Sequence, residues 1–158
     1  MTDTKQPARR PMNPAKAYLI RYRMLLREWD ALDMALRECR ERAKNCSVKL
    51  KPIHVQGGGA CYDRMAEDVA KAADAEAQLQ AVLDRKNAAL AEILEAVGAV
   101  PDDAQRVVLT LRFVTGFSME QIMDCIGYER SRTYELYGWG LWHVKQWMIR
   151  KGLIKEGV

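Results

Sequence analysis

The feature that most constrains the fold of this chain is a long heptad pattern of apolar residues near its N-terminus. Steps of four and three residues alternate through Tyr18, Tyr22, Leu25, Trp29, Leu32, Leu36, Cys39, Ala43 and Cys46. This spacing is typical of one face of a coiled-coil helix. A helix from Pro14 to Ser47 would be on the order of 50 Å long, at about 1.5 Å per residue, and so needs a partner along its length.

A second pattern in the same heptad phase supplies that partner. Its members are Tyr62, Met65, Val69, Ala72, Leu79, Leu83, Leu90, Ile93 and Val97. Two patterns of similar length predict an antiparallel helical hairpin over residues 14–98 with a loop at 48–60. Glu76 and Lys86 interrupt the second pattern. These polar positions either set the register of the hairpin or mark a seam between subunits.

Two segments outside the heptads carry glycine or charge. The loop contains Gly57, Gly58 and Gly59, which favour either a plain connector or a segment that orders on a phosphate or a protein. Residues 1–13 bury almost nothing and form a predicted flexible basic arm, whose charge is either incidental or in contact with phosphates.

The sequence from Ser118 onward has the signals of two short helices that meet at a tight turn. Ser118 and Gln121 have the spacing of a capping box, and Phe117 and Ile122 that of a hydrophobic staple. Gly127 stands where a left-handed residue would end the first helix. The sequence therefore predicts a helix-turn-helix.

The second helix of this unit is predicted to begin near Arg130. Its buried face comprises Thr133, Leu136, Tyr137, Gly140, Leu141, Val144 and Met148. This pattern leaves Arg130, Ser131, Tyr134, Glu135 and Gly138 pointing outward. In a helix-turn-helix the start of the second helix meets the base edges, so these positions form a candidate DNA-reading surface.

A third helix is predicted to precede the other two. Gly98 and Pro101 break the hairpin, and Asp102 with Gln105 gives another capping pattern for a helix that ends at Gly116. The C-terminal unit then spans 101–151, with a tail at 152–158. The predicted fold is all-α: a long antiparallel coiled-coil hairpin followed by a three-helix helix-turn-helix unit.

The stretch LRFVTGFSMEQIMDCIGYERSRTYELYGWGL resembles region four of bacterial sigma factors. Together with the preceding helical pair and its loop, HVQGGGACYDRMAEDVAKAADAE, the chain is similar to phage sigma-like transcriptional regulators of the ArpU type. This resemblance implies a sequence-specific DNA-binding regulator of phage or prophage origin that activates late genes, with double-stranded DNA and host RNA polymerase as partners.

The resemblance also implies which residues touch DNA. Arg130 and Ser131 match positions at the start of the reading helix, and Tyr134 and Glu135 match the pair one turn later. Arg132 and Lys145, basic residues of the same helix, complete the expected DNA-binding set.

Composition limits the other classes of function. The chain has 158 residues, of which 49% are hydrophobic and 29% charged. No apolar run is long enough to span a membrane, and MTDTKQPARRPMNP lacks the apolar core of a signal peptide, so we expect a cytoplasmic protein.

The four cysteines are expected to be reduced and to act as apolar residues. Cys46, His54 and Cys61 lack a fourth metal ligand, and no catalytic or cofactor motif occurs, so we expect no metal, cofactor or enzymatic activity.

Charge favours the C-terminal end as the DNA-binding end. Residues 129–158 contain six basic and three acidic side chains, whereas residues 61–97 contain four basic and eight acidic ones.

Two alternative functions remain open: a protein-interaction module that uses Trp139 and Trp142, and a DNA-packaging adaptor like a small terminase subunit. We also expect a homodimer, through either the hairpin flank that includes Leu19 and Leu26 or the Trp139 and Trp142 face.

Overall fold

A computed structural model describes residues 12–48 and 59–155. Helix α1 spans Pro14–Val48, α2 spans Gly59–Gly98, α3 spans Asp103–Thr110, α4 spans Met119–Ile126 and α5 spans Arg130–Arg150. A π-helical turn, Leu111–Thr115, extends α3. Every regular element in these residues is helical, which confirms the predicted all-α fold class.

The described residues form two compact units, and the bounds of these units differ from those of the predicted domains. One consists of residues 23–48 and 59–90, the middle of the two long helices. The other consists of residues 12–22 and 91–155, and so combines the start of α1 and the end of α2 with the three short helices. The first turns of α1 and the last turns of α2 therefore form part of the core on which α3 and α5 rest.

In the unit of residues 23–90, α1 and α2 run antiparallel. Arg40 of α1 pairs with Glu76 of α2, and Glu28 pairs with Arg85 at 3.8 Å. An earlier position in α1 is thus paired with a later position in α2, which is the antiparallel arrangement. Leu25 and Leu36 are buried along α1, in agreement with the first heptad pattern, and Val82 is buried along α2.

The two polar interruptions of the second heptad have different partners. Glu76 makes the ion pair with Arg40 at the exposed edge. Lys86 is half-buried and places its ammonium 5.0 Å from the centre of the Trp29 ring, where the face of the indole attracts a cation. The lysine stem covers apolar surface while its charge stays beside the ring, so a lysine is compatible with the seam.

Part of the second heptad prediction is wrong. Val69 is 57% exposed, whereas Val82 and Ala89, which the pattern omitted, are buried. Alanines on many faces of α2 blur its apolar stripe, so several phases fit the same residues. Tyr62 and Met65 lie in the part of α2 whose side chains are not described.

The core of the other unit joins helices that are distant in sequence. Its buried members are Ala15, Leu19, Ile93, Ala96, Val97, Val100, Leu109, Phe113, Leu141, Val144, Trp147 and Met148. Leu19 is fully buried in this core, so its predicted place on an outer flank is wrong. Asn13 fixes the start of α1, because its side-chain oxygen accepts a hydrogen bond from the Ala15 N–H at 2.9 Å while Pro14 fills the first helical position.

Helix α3 begins as the sequence predicts. The Asp102 carboxylate accepts hydrogen bonds from the backbone N–H groups of Ala104 and Gln105, at 2.8 and 3.2 Å. The Gln105 side chain does not return to the cap: it is buried, and its Oε1 has no partner among the described residues. Gly116, with φ of +90°, ends the π-helical turn at the predicted position.

Several predictions lie outside the described residues. They are the arm at residues 1–11, loop residues 49–58, the end of the tail at 156–158, and His54. Val48, Gly59 and Ala60, predicted as loop, belong to helices. Within residues 12–48 and 59–155, no helix has an apolar stretch long enough to cross a membrane.

Candidate nucleic-acid interface

The turn between α4 and α5 is built from strong local signals. The Ser118 hydroxyl accepts from the Gln121 N–H at 3.2 Å, and the Gln121 side chain accepts from the Ser118 N–H at 2.8 Å. This reciprocal pair is the predicted capping box. At the other end, Gly127 has φ of +68° and donates to the Met123 carbonyl at 2.9 Å. A left-handed residue here turns the chain toward α5.

Side chains beneath the turn hold α4 against α3 and α5. Ile122 of α4, Val108 of α3 and Leu136 of α5 form one buried cluster. Thr133 is fully buried, and its hydroxyl donates to the Glu129 carbonyl at 3.0 Å. The same carbonyl accepts from the Thr133 backbone N–H at 2.9 Å, so two hydrogen bonds fix the first turn of α5 from its inner side.

The opposite side of this first turn is exposed as predicted. The predicted outward residues Arg130, Ser131, Tyr134, Glu135 and Gly138 all lie on the surface, and Arg132 is exposed beside them. We call Arg130, Ser131, Arg132, Tyr134 and Glu135 the recognition surface. Two internal contacts orient them. The Arg130 guanidinium lies 5.7 Å from the centre of the Tyr134 ring, and Arg132 pairs with Glu135 at 2.8 Å.

Lys145 stands apart from the recognition surface. It is half-buried and lies 15 residues beyond Arg130 on the same helix, about 22 Å away at 1.5 Å per residue. Arg130 and Lys145 cannot touch the same few bases at that distance. The predicted DNA-binding set therefore separates into five neighbouring residues and one distant lysine.

The charge around the recognition surface is not basic. Residues 119–135 contain two arginines, Arg130 and Arg132, against the four acidic residues Glu120, Asp124, Glu129 and Glu135. Glu129 occupies the N-cap of α5, and its side chain makes no capping hydrogen bond. The positive excess counted over residues 129–158 comes from later in α5 and from the tail, at Lys145, Arg150, Lys151 and Lys155.

Glu120 is held ionised at the start of α4. Its own backbone N–H and the Ser118 side chain hydrogen-bond the carboxylate and lower its pKa, and the positive charges of Arg130 and Arg112 lower it further. Arg112 is in turn fixed by donating to the Phe117 carbonyl at 2.7 Å. One carboxylate thus lies in the field of Arg130 and reduces the attraction of that arginine for phosphate.

The inner face of α5 contains one large residue that the sequence pattern missed. Trp147 is buried 6.1 Å from the Tyr18 ring, between centroids. It follows Val144 at helical spacing, which is the signal that could have revealed it. Trp139 and Trp142 behave differently: they are 52% and 48% exposed and contact each other edge to face, with ring centroids 5.9 Å apart.

Within residues 12–48 and 59–155, no group of histidine, cysteine, aspartate or glutamate side chains is arranged to hold a metal ion. The side chains of Cys46 and Cys61 are among those not described.

Comparisons with protein-family models, curated proteins and solved structures gave no match to this chain.

Proposed function

We propose that this chain is a sequence-specific DNA-binding transcriptional regulator of phage or prophage origin, which reads its site with the start of α5. The observation that carries the proposal is the arrangement of the recognition surface. Five polar or aromatic side chains are exposed on the first two turns of a helix that follows a capped helix and a left-handed glycine. This is the part of a helix-turn-helix that enters the major groove.

The side chains of the recognition surface suit base readout. A guanidinium can donate two hydrogen bonds to the O6 and N7 atoms of guanine, and a serine hydroxyl can donate or accept. The Arg130 guanidinium lies 5.7 Å from the centre of the Tyr134 ring, a cation–π contact on the exposed side of the helix that limits the freedom of the arginine side chain. Arg130 is therefore our proposed principal base-reading residue, with Ser131 and Tyr134 beside it.

The excess of acidic residues around the recognition surface predicts that DNA binding by this chain depends on a partner protein. Attraction to phosphates supplies most sequence-independent affinity, and it falls as salt neutralises the DNA. With four carboxylates against two arginines across residues 119–135, this term is small for the isolated chain. We propose that host RNA polymerase supplies additional contacts at the promoter, and that the chain acts as an activator there.

The direct test is selection of bound duplexes from a random-sequence DNA pool by the full-length protein. We expect one enriched motif. Arg130→Ala should then weaken binding to that motif by roughly 1 to 3 kcal/mol, the value of one bidentate base contact. The matched control is Arg27→Ala, which removes the same charge from an exposed position on α1. A pool that remains random after selection would sink the proposal.

Mapping of bound DNA in the native host separates a regulator from a packaging adaptor. A regulator should occupy sites next to promoters, and transcripts from these promoters should change when the protein is removed. Occupancy confined to one packaging site, with unchanged transcripts, would favour the adaptor.

A further inference from the structure

One acidic side chain lies within the recognition surface. Glu135 is exposed on the second turn of α5, on the same side of the helix as Ser131, which stands four residues earlier. The other acidic residues across 119–135 are placed elsewhere. Glu120 and Asp124 belong to α4, and Glu129 is the N-cap of α5. Glu135 is therefore the carboxylate that the start of α5 would bring to the base edges.

An acid in this position weakens DNA binding unless it meets a hydrogen-bond donor. Every phosphate of DNA is negatively charged, so a carboxylate beside the duplex reduces the attraction between the helix and the DNA backbone. An ionised carboxylate accepts hydrogen bonds and cannot donate them. The cost of Glu135 is therefore offset only at a base whose major-groove edge carries a donor.

The major-groove edges of the four bases differ in what they offer a carboxylate. Guanine presents the acceptors O6 and N7, and thymine presents the acceptor O4, so both repel it. Adenine presents the N6 donor next to the N7 acceptor, whereas cytosine presents the N4 donor and no acceptor. Cytosine is therefore the base that a carboxylate favours most.

The contacts of Glu135 within the protein are compatible with a bond to a base. Arg132, three residues earlier, donates to Oε2 of Glu135 at 2.8 Å. Both side chains of this pair are about half exposed, and exposed pairs of this kind contribute little to stability. The other carboxylate oxygen, Oε1, has lone pairs of its own. Arg132 thus compensates the charge of Glu135 while the carboxylate keeps an oxygen that can accept from a base.

We propose that Glu135 is a specificity-determining residue, whose carboxylate accepts a hydrogen bond from the N4 amino group of a cytosine in the bound site. This inference rests on the proposed function, because it requires the start of α5 to lie in the major groove. Arg130 stands five residues before Glu135, about 7.5 Å away along the helix axis at 1.5 Å per residue. Successive bases of a strand are about 3.4 Å apart. The cytosine therefore lies outside the base pair that Arg130 reads.

Substitution by glutamine tests which base Glu135 reads. Glutamine has a side chain of the same length, but its amide both accepts and donates, so it pairs with the N6 and N7 atoms of adenine. In selection from a random-sequence DNA pool, Glu135→Gln should replace the cytosine of the wild-type motif by adenine and leave the other positions unchanged. A purely structural role of Glu135 would not change the motif at a single position.

Glu129→Gln is the matched control. It removes the same charge six residues earlier, at an exposed N-cap that makes no side-chain capping hydrogen bond. Both variants should bind mixed-sequence DNA more tightly than wild type, because each removes one negative charge near the phosphates. We expect the motif itself to change in Glu135→Gln and to stay the same in Glu129→Gln.

Competition between two duplexes measures the preference directly. Both duplexes carry the selected motif, and they differ only in a C·G or an A·T pair at the position in question. Wild type should favour the C·G duplex at least about fivefold, the lower end of the effect of one mismatched base pair. Glu135→Gln should favour the A·T duplex. Circular dichroism confirms that each variant is folded.

Failure of this inference differs from failure of the proposed function. A switch to adenine, or a loss of preference at this one position, supports the contact between Glu135 and cytosine. A wild-type motif that Glu135→Gln selects unchanged would overturn that contact and leave the DNA-reading function intact. A pool that stays random with the wild-type protein would overturn both.

Discussion

Gly140 of α5 faces Leu109 of α3 so closely that a Cβ at position 140 would lie 3.0 Å from the leucine Cδ1. Leu109 is fully buried and has little room to move. The glycine therefore permits α3 and α5 to approach each other, and this approach holds α5 in place behind the recognition surface.

Gly140→Ala and Gly138→Ala should have opposite effects on stability. Alanine at 138 meets no described atom within 4 Å, so the better helix former should stabilise the fold by about 0.5–1 kcal/mol. At 140 the same gain is outweighed by overpacking, which costs about 1–3 kcal/mol, so we expect a net loss of about 1 kcal/mol. Urea denaturation of both variants measures the difference. Equal stabilisation by both would show that Leu109 yields freely.

Leu25→Asp and Met24→Asp test the heptad seam of α1 with adjacent residues. Leu25 is 8% exposed and Met24 is 57% exposed. A carboxylate at position 25 must lose its hydration, so we expect a loss of several kcal/mol in the free energy of unfolding. At position 24 the same charge stays in water and should change this free energy by less than about 0.5 kcal/mol. Similar losses from both would contradict the burial of this seam.

Ser118→Ala tests the capping box at the start of α4. Removal of the hydroxyl leaves the Gln121 N–H without its acceptor, so we expect a loss of about 1 kcal/mol. Ser131→Ala is the matched control, because it removes the same hydroxyl from an exposed position within the first turn of α5. This control should be neutral or slightly stabilising, since alanine is the better helix former. Thermal melts that rank the two in the other order would contradict the role of the box.

Local signals made the start of the site predictable. The Ser118 and Gln121 pair, Gly127 and the exposed face from Arg130 depend on short stretches of chain, and the structure has each of them where the sequence indicated. The absence of a matching basic field around Arg130 was not apparent, because the charge count over residues 129–158 mixed the start of α5 with its distant end.

Long-range packing was less predictable. Leu19 looked like a flank residue because the heptad places Tyr18 and Tyr22 inward, yet the core formed with α3 and α5 covers Leu19 completely. Leu19 is buried because the start of α1 belongs to the same compact unit as α3 and α5. The alanines of α2 similarly fit several phases, so the pattern alone does not distinguish the buried Val82 from the exposed Val69.

Alkaline pH should destabilise the unit that contains α5. Burial raises the pKa of Tyr137 above its ordinary value of 10.0, as it does for Tyr18, where the nearby Glu92 carboxylate raises the pKa further. A folded-state pKa above the unfolded one favours the neutral phenol in the fold. The contribution to stability is therefore complete below about pH 10 and is lost as the pH rises through the folded-state pKa.

Tyr137→Phe should remove part of this dependence. The ring that stacks on Phe113 at 6.1 Å between centroids remains in the variant, so we expect nearly wild-type stability at pH 7 and a higher urea midpoint than wild type at pH 11. Tyr128→Phe, at a tyrosine that is 46% exposed, leaves Tyr137 and Tyr18 intact and should follow the wild-type curve. Urea midpoints from pH 8 to 11 decide the outcome. If Tyr137→Phe falls with pH as steeply as wild type, the buried phenol is not the group that titrates on unfolding.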